Sequence, residues 1–301
     1  MSIITTTVAN RYSCYQIIFQ QQYDFIQTAK TLEGVLQRIN EFLFLLYARN
    51  DTITPILLIE AEKRELFNNV MHITLAEYSS KEAILDLLKN MRIYAKLKLK
   101  QHYAIPFTIV PEPFPLYRIL ADYYYTATPT TATTPTTNTA NANANTNTTT
   151  LIFAIHARQR SERTSIASYL RKHDLARSTI FYAYGEAIKQ KLQSTHYHCT
   201  LLLACTDSKV ALLKALTAFK VQYFAYFLKS NNNLHAIEKQ RLARELFARP
   251  KKPISIPYIR NPIRYPVLSS IELVSLMLPD SVKGVRTTVD GIRPYTTGTM
   301  L

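Results

Sequence analysis

The chain has 301 residues, of which 47% are hydrophobic, so it can bury a substantial core in about two domains. It has only five glycines, none spaced for a phosphate-binding loop or a dinucleotide fingerprint, which argues against those nucleotide-binding classes. Its net charge of +15 is uneven: residues 1–125 carry 13 basic and 12 acidic side chains, whereas residues 151–301 carry 23 and 9. This asymmetry indicates a surface in the second half for a polyanion or an acidic partner.

The cysteines and the lack of a long apolar run indicate the cellular setting of the protein. Three cysteines are too few for a disulfide framework and lack the spacing of metal ligands. The first residues lack the basic start and apolar core of a signal peptide, and no run approaches the roughly 18–20 apolar residues that span a bilayer. We therefore expect a cytoplasmic protein without a direct membrane span, either soluble or held at a membrane complex only through partner proteins.

Residues 1–125 predict a ferredoxin-like module with a trailing helix. A strand at 11–20 precedes an amphipathic helix whose apolar positions run from Leu32 to Leu46. The later segments predict strands at 55–60 and 70–76, a helix at 81–90 and a strand at 92–100. The order strand, helix, strand, strand, helix, strand is that of the split βαβ arrangement.

Residues 126–150 contain only Thr, Asn, Ala and Pro. They offer neither charge nor apolar bulk to a core, so they predict a disordered linker or a long surface loop. Their threonines would also suit edge strands, although proline and the lack of large side chains make that interpretation weaker.

Residues 151–232 predict a second module whose order of strands and helices is similar to that of the first but less regular. The pattern predicts strands at 151–157 and 196–205, helices at 161–193 and 207–219, and a last strand at 221–228. The predicted fold class is thus α+β, with two ferredoxin-like modules joined by a disordered linker and followed, at 233–301, by a basic helix, a helical connector and a tail.

His196, His198 and Cys199 stand close together in the sequence. On a strand the two histidines face one side of the sheet and Cys199 the other, so the three cannot converge on a metal. No general base is evident beside a cysteine, and no pair of carboxylates stands out. We therefore predict no catalytic, cofactor-binding or metal-ligating residue.

Basic side chains form two clusters, in the first part of the second module and around the basic helix. The guanidinium group of an arginine on a helix can form two hydrogen bonds to a phosphate, although a solvated helix face explains these basic clusters equally well. The candidate contacts to nucleic acid or an acidic partner are Arg158, Arg160, Arg163, Arg171, Lys172, Lys239, Arg241, Arg244, Arg249, Lys251 and Lys252.

The connector lies at 264–279. Ser269 is placed to cap a short helix, Glu272 to complete a capping box three residues later, and Pro279 to end the helix after about two turns. This combination is typical of a junction between domains.

The connector resembles the segment Leu-Ser-(Ser/Thr)-x-Glu-Leu-x-x-Leu-x-x-x-Pro that precedes the motor domain in archaeal conjugation-type (type IV secretion) traffic ATPases of the HerA/FtsK superfamily. The proline-led helix at 111–121, followed by the strand at 151–157, is similar to a further feature of that family, here interrupted by the Thr/Asn tract. The resemblance implies a pre-motor region without its ATPase domain. It also implies that a separately encoded ATPase, or another protein of the secretion machine, contacts the connector residues Pro266, Leu268, Ser269, Glu272, Leu273, Leu276 and Pro279.

Two functions are consistent with these features. The first is a non-enzymatic assembly or docking module that acts with a separately encoded motor. The alternative is a stand-alone basic nucleic-acid-binding protein of a mobile element or virus. The sequence implies no cofactor, and it leaves open both the partner and the oligomeric state, including a homo-oligomer.

Overall fold

The fold is taken from a computed structural model of the chain. It describes residues 12–49, 52–78, 84, 93–97, 106, 108, 110–125, 150–159, 179–206, 208–230, 267–280, 286–288 and 291–293.

The elements that precede the Thr/Asn tract are mainly strands. A 3-10 helix at Ala61–Asn69 connects the third and fourth of them. The others are β1 (Tyr12–Phe19), α1 (Phe25–Leu36), β2 (Glu41–Arg49), β3 (Thr52–Glu60), β4 (Ile73–Glu77), β5 (Ile93–Lys96) and α2 (Leu116–Tyr125).

The elements that follow the tract alternate between strand and helix. They are β6 (Leu151–Gln159), α3 (Thr179–Gln193), β7 (His196–Cys205), α4 (Lys209–Ser230), β8 (Val267–Ser269), α5 (Ser270–Met277), β9 (Arg286–Thr288) and β10 (Gly291–Arg293).

All ten of these strands belong to one antiparallel sheet. Seven follow the order β4-β1-β3-β2-β6-β7-β5, while β8 pairs with β7, and β10 pairs with both β3 and β9. Strands β2 and β6, from opposite sides of the tract, pair from Glu41↔Arg158 to Ala48↔Leu151. The chain is therefore α+β, as predicted, and the described strands from both halves form a single sheet.

Two predicted elements are wrong. The helix predicted to extend to Leu46 ends at Leu36, and Glu41–Arg49 is a strand. This strand is buried on both faces, so its apolar run shows no alternation to distinguish it from a helix. The strand predicted at 221–228 lies within α4, where aromatic residues that favour strands are accommodated in a long helix.

The middle of the sheet is buried on both faces. On one face, α1, α2, α4 and α5 pack over a core that includes Phe44, Phe153 and Leu201. The other face carries a second cluster that includes Leu45, Ile56 and Leu202, with Ile84 packed against it. Within the described ranges, no helix combines the length and apolar character needed to cross a bilayer.

Candidate functional site

Polar side chains cross the sheet near one end, on the face opposite the packed helices. Cross-strand pairing places Glu41 opposite Arg158, and Arg158 opposite His198, on three neighbouring strands. His156 lies two residues from Arg158 and therefore on the same face, and Tyr12 reaches the group from β1. We call Tyr12, Glu41, His156, Arg158 and His198 the polar row.

Glu41 is the anchor of the polar row. Its Oε1 lies 2.8 Å from Nε2 of His156, and its Oε2 accepts a hydrogen bond of 2.9 Å from the hydroxyl of Tyr12. Partial burial raises the pKa of Glu41, but the hydrogen bonds from His156 and Tyr12 and the charges of His156 and Arg158 outweigh that effect and lower it. Glu41 is therefore a carboxylate at neutral pH, and it holds the imidazole of His156 in place.

The outer part of the polar row is basic and open to solvent. The side chains of Arg158 and His198 are exposed, whereas His156 and Glu41 are each only 22% exposed. A guanidinium beside an imidazole can donate hydrogen bonds to an anion such as phosphate. Within the part of the chain that the structure describes, no group of three or more His, Cys, Asp or Glu side chains could hold a metal ion.

Of the eleven basic residues predicted to contact nucleic acid, Arg158 is the one within the described ranges. The other ten, Arg160, Arg163, Arg171, Lys172, Lys239, Arg241, Arg244, Arg249, Lys251 and Lys252, lie outside them. Sequence reasoning missed the roles of Tyr12, Glu41 and His156. The sequence predicts a helix that includes Glu41, and a residue in a helix has no cross-strand partner, so the pairing of Glu41 with β6 was not predicted.

The connector is built into the fold. Its residues Val267–Ser269 form β8, which extends the sheet beside the amino-terminal end of β7. Ser269 then caps α5 as predicted, because the Glu272 amide donates to its Oγ at 3.5 Å. Glu272 completes the capping box, its Oε2 accepting from the Ser269 amide at 2.7 Å, and the helix ends at Met277, just before Pro279.

Glu272 also forms a buried ion pair. Nζ of Lys191, on α3, lies 2.9 Å from Oε2 of Glu272, and the two side chains are only 2% and 0% exposed. Burial lowers the pKa of Lys191, although the charge and hydrogen bond of Glu272 oppose the change. The pair fixes α3 to the connector without access to solvent.

Four further hydrogen bonds tie α5 and its end to other elements. The hydroxyls of Tyr117 and Tyr23 donate to the carbonyls of Met277 and Pro279 at 2.8 and 3.0 Å. The Phe114 amide donates to the Ser275 carbonyl at 2.9 Å, and the Ser270 hydroxyl lies 2.9 Å from Oε1 of Glu33. Two of these bonds, from Tyr117 and Phe114, link the proline-led segment at 111–121 directly to the connector.

The described residues among those predicted to dock a motor are consequently not on the surface. Pro266 lies outside the described ranges, and the remaining six are buried: Leu268, Ser269, Glu272, Leu273, Leu276 and Pro279. A partner would reach these side chains only if the connector left its place against α1 and β7.

Cys199 lies on the helix-covered face of β7, and His196 and His198 lie on the other. Cys199 is fully buried, and burial raises its pKa, so its thiol stays protonated at neutral pH. His196 is buried and His198 exposed, so the strand holds the three residues in different environments.

Comparisons with known protein families, with curated proteins and with solved structures find no match for this chain.

Proposed function

We propose that this chain is a non-catalytic binding module that contacts the phosphate backbone of nucleic acid through its basic second half. The observation that carries the proposal is the exposed pair of Arg158 and His198, held on neighbouring strands beside the anchored imidazole of His156. Arginine side chains commonly contact phosphate oxygens in complexes of proteins with nucleic acid.

The charge distribution supports the same function. The excess of basic side chains is 14 in residues 151–301, and it supplies nearly all of the net charge. The polar row includes one carboxylate, Glu41, whose oxygens are engaged by Tyr12 and His156. The charge of Arg158 also lowers the pKa of Glu41, so this carboxylate offsets only part of the positive charge of the row. Phosphate contacts of this kind position a protein on nucleic acid without reading its sequence.

Binding to labelled single-stranded and duplex DNA across a salt series tests the proposal. Arg158→Gln should weaken binding and reduce the slope of log K against log salt by about one, because one phosphate contact is lost. Arg64→Gln is the matched control, since Arg64 is also exposed but pairs with Glu77 at 3.3 Å in the first half. Equal slopes for the two variants, or no binding by the unaltered protein, would contradict a role for the polar row.

A docking module for a separately encoded motor is the second candidate. Its support is the capped helix of the connector, which forms at the residues that carry the resemblance to the HerA/FtsK pre-motor region. A connector fixed by a buried ion pair would act as a rigid junction between this fold and a partner. On this proposal, the protein captures a nucleotide-binding partner equally well before and after nuclease treatment.

We further infer that residues 12–77 form a ferredoxin-like unit. The support is the order β4-β1-β3-β2, with β3 between two strands that α1 connects, although a 3-10 helix takes the place of the second helix. A second such module at 151–232 has less support, because β6 and β7 are direct neighbours rather than strands separated by a third.

A further inference from the structure

The outer face of α4 carries exposed apolar side chains. Val210, Leu213 and Val221 are 63%, 50% and 59% exposed. Val210 and Leu213 are three residues apart, and Val221 lies two helical turns beyond Leu213, past the exposed Thr217. The three aliphatic side chains thus form a ridge about 16 Å long with one polar position within it. Scattered exposed aliphatic residues are ordinary, but a row of them along one helix indicates a contact surface.

Lysines flank this ridge. Lys209, Lys214 and Lys220 are exposed, and residues 209–230 contain no acidic side chain. A lysine stem can lie along an apolar surface while its ammonium group reaches outward. We call Val210, Leu213, Val221 and these three lysines the α4 ridge.

The orientation of the α4 ridge is fixed by the opposite side of the helix. Ala211, Leu212, Ala215 and Leu216 are buried in the core, and the ring of Phe219 stacks on that of Phe153 with centroids 5.8 Å apart. The helix cannot rotate its exposed aliphatic side chains inward without exposing these residues. With these contacts in place, the ridge faces away from the core.

We propose that the α4 ridge binds the surface of an anionic lipid bilayer. A second copy of the same face would bring like charges together, and nucleic acid would leave the three aliphatic side chains without an apolar partner. A negatively charged bilayer satisfies both parts of the ridge, because its headgroups attract the lysines while Val210, Leu213 and Val221 enter the boundary with the acyl chains.

Sedimentation with vesicles tests this proposal. The full chain should bind vesicles of phosphatidylcholine containing phosphatidylserine, and vesicles of phosphatidylcholine alone should bind far less. The variant Lys209→Gln/Lys214→Gln/Lys220→Gln should bind the anionic vesicles about 100-fold more weakly, in line with the attraction expected for three lysines near such a surface.

The decisive variant keeps the charge and alters the apolar row. Val210→Ser/Leu213→Ser/Val221→Ser should lose about tenfold or more in affinity for anionic vesicles, whereas a purely electrostatic attachment would be unchanged. Ile26→Ser is the matched control, because Ile26 is 58% exposed on α1 and lies outside the ridge. Unchanged vesicle binding by the triple serine variant, or no vesicle binding by the unaltered chain, would overturn the proposal.

Binding of the triple serine variant to DNA separates this inference from the proposed function. The variant retains Arg158 and every basic side chain, so its affinity for DNA should equal that of the unaltered chain. A parallel loss of DNA binding and vesicle binding would overturn the assignment of the ridge to lipid.

Discussion

At the scale of single residues, loss of the buried Lys191–Glu272 ion pair should lower the free energy of unfolding more than loss of a surface ion pair. Lys191→Met would leave the carboxylate of Glu272 fully buried without its cation, at a cost of about 3–5 kcal/mol in the free energy of unfolding. Urea unfolding followed by circular dichroism measures that cost.

A surface pair on the same helix provides the control for this prediction. Lys189 lies 2.7 Å from Glu186, but the two side chains are 48% and 82% exposed, so Lys189→Met should cost only about 0–1 kcal/mol. In the double variant Lys191→Met/Glu272→Gln, glutamine keeps the capping box without a charge, so part of the loss should be recovered. Equal costs for Lys191→Met and Lys189→Met would show that the buried pair contributes nothing specific.

The lowered pKa of Glu41 predicts how the stability of the fold depends on pH. Its pKa in the folded protein lies below its ordinary value of 4.5, so the folded state holds its proton less tightly than the unfolded state. The resulting stabilisation is complete above about pH 4.5 and is lost as the pH falls through the lowered pKa of the folded state. Glu41→Gln removes this contribution, so the free energy of unfolding should fall less steeply with acidification in the variant.

Measuring the free energy of unfolding between about pH 3 and pH 7 tests the direction of this pH dependence. Glu186→Gln is the control, because it removes an exposed carboxylate that lies outside the polar row. A steeper acid loss in Glu41→Gln than in the unaltered protein would mean that the hydrogen bonds of His156 and Tyr12 do not favour the carboxylate.

At the scale of elements, the sequence predicts best where local chemistry decides the structure. Ser269 and Glu272 form the capping box and Pro279 follows the helix end, because capping depends on residues within a single turn. The alternation on β7 likewise predicts correctly that Cys199 and the two histidines face opposite sides.

Prediction fails where long-range pairing decides the structure. Strand β2 is apolar on both faces, so its identity as a strand depends on β3 and β6 on either side of it. The polar row could not be predicted for the same reason. Glu41 and His156 are 115 residues apart, and only the register of β2 with β6 brings them together. The ion pair of Lys191 with Glu272 is equally non-local.

At the scale of the whole molecule, the pairing of β2 with β6 predicts that the two halves of the chain depend on each other. These strands pair over eight residues in the middle of the sheet, and the helix-covered core contains residues from both halves. Separating the halves would expose two long strand edges and a large apolar surface, which is strongly unfavourable in water. Loss of covalent continuity within the Thr/Asn tract should therefore leave the halves associated.

A protease recognition sequence inserted within residues 126–149 tests this dependence. After cleavage, the two fragments should elute together in size-exclusion chromatography and separate only in denaturant. Thiol reactivity gives a second readout, because Cys14 is buried in the first fragment and Cys199 and Cys205 in the second. All three thiols should stay unreactive in the cleaved, associated protein. Two fragments that elute separately, each with protected thiols, would instead indicate two independently folded modules. In that case the exposed edges of β2 and β6 would cost too little free energy to hold the halves together.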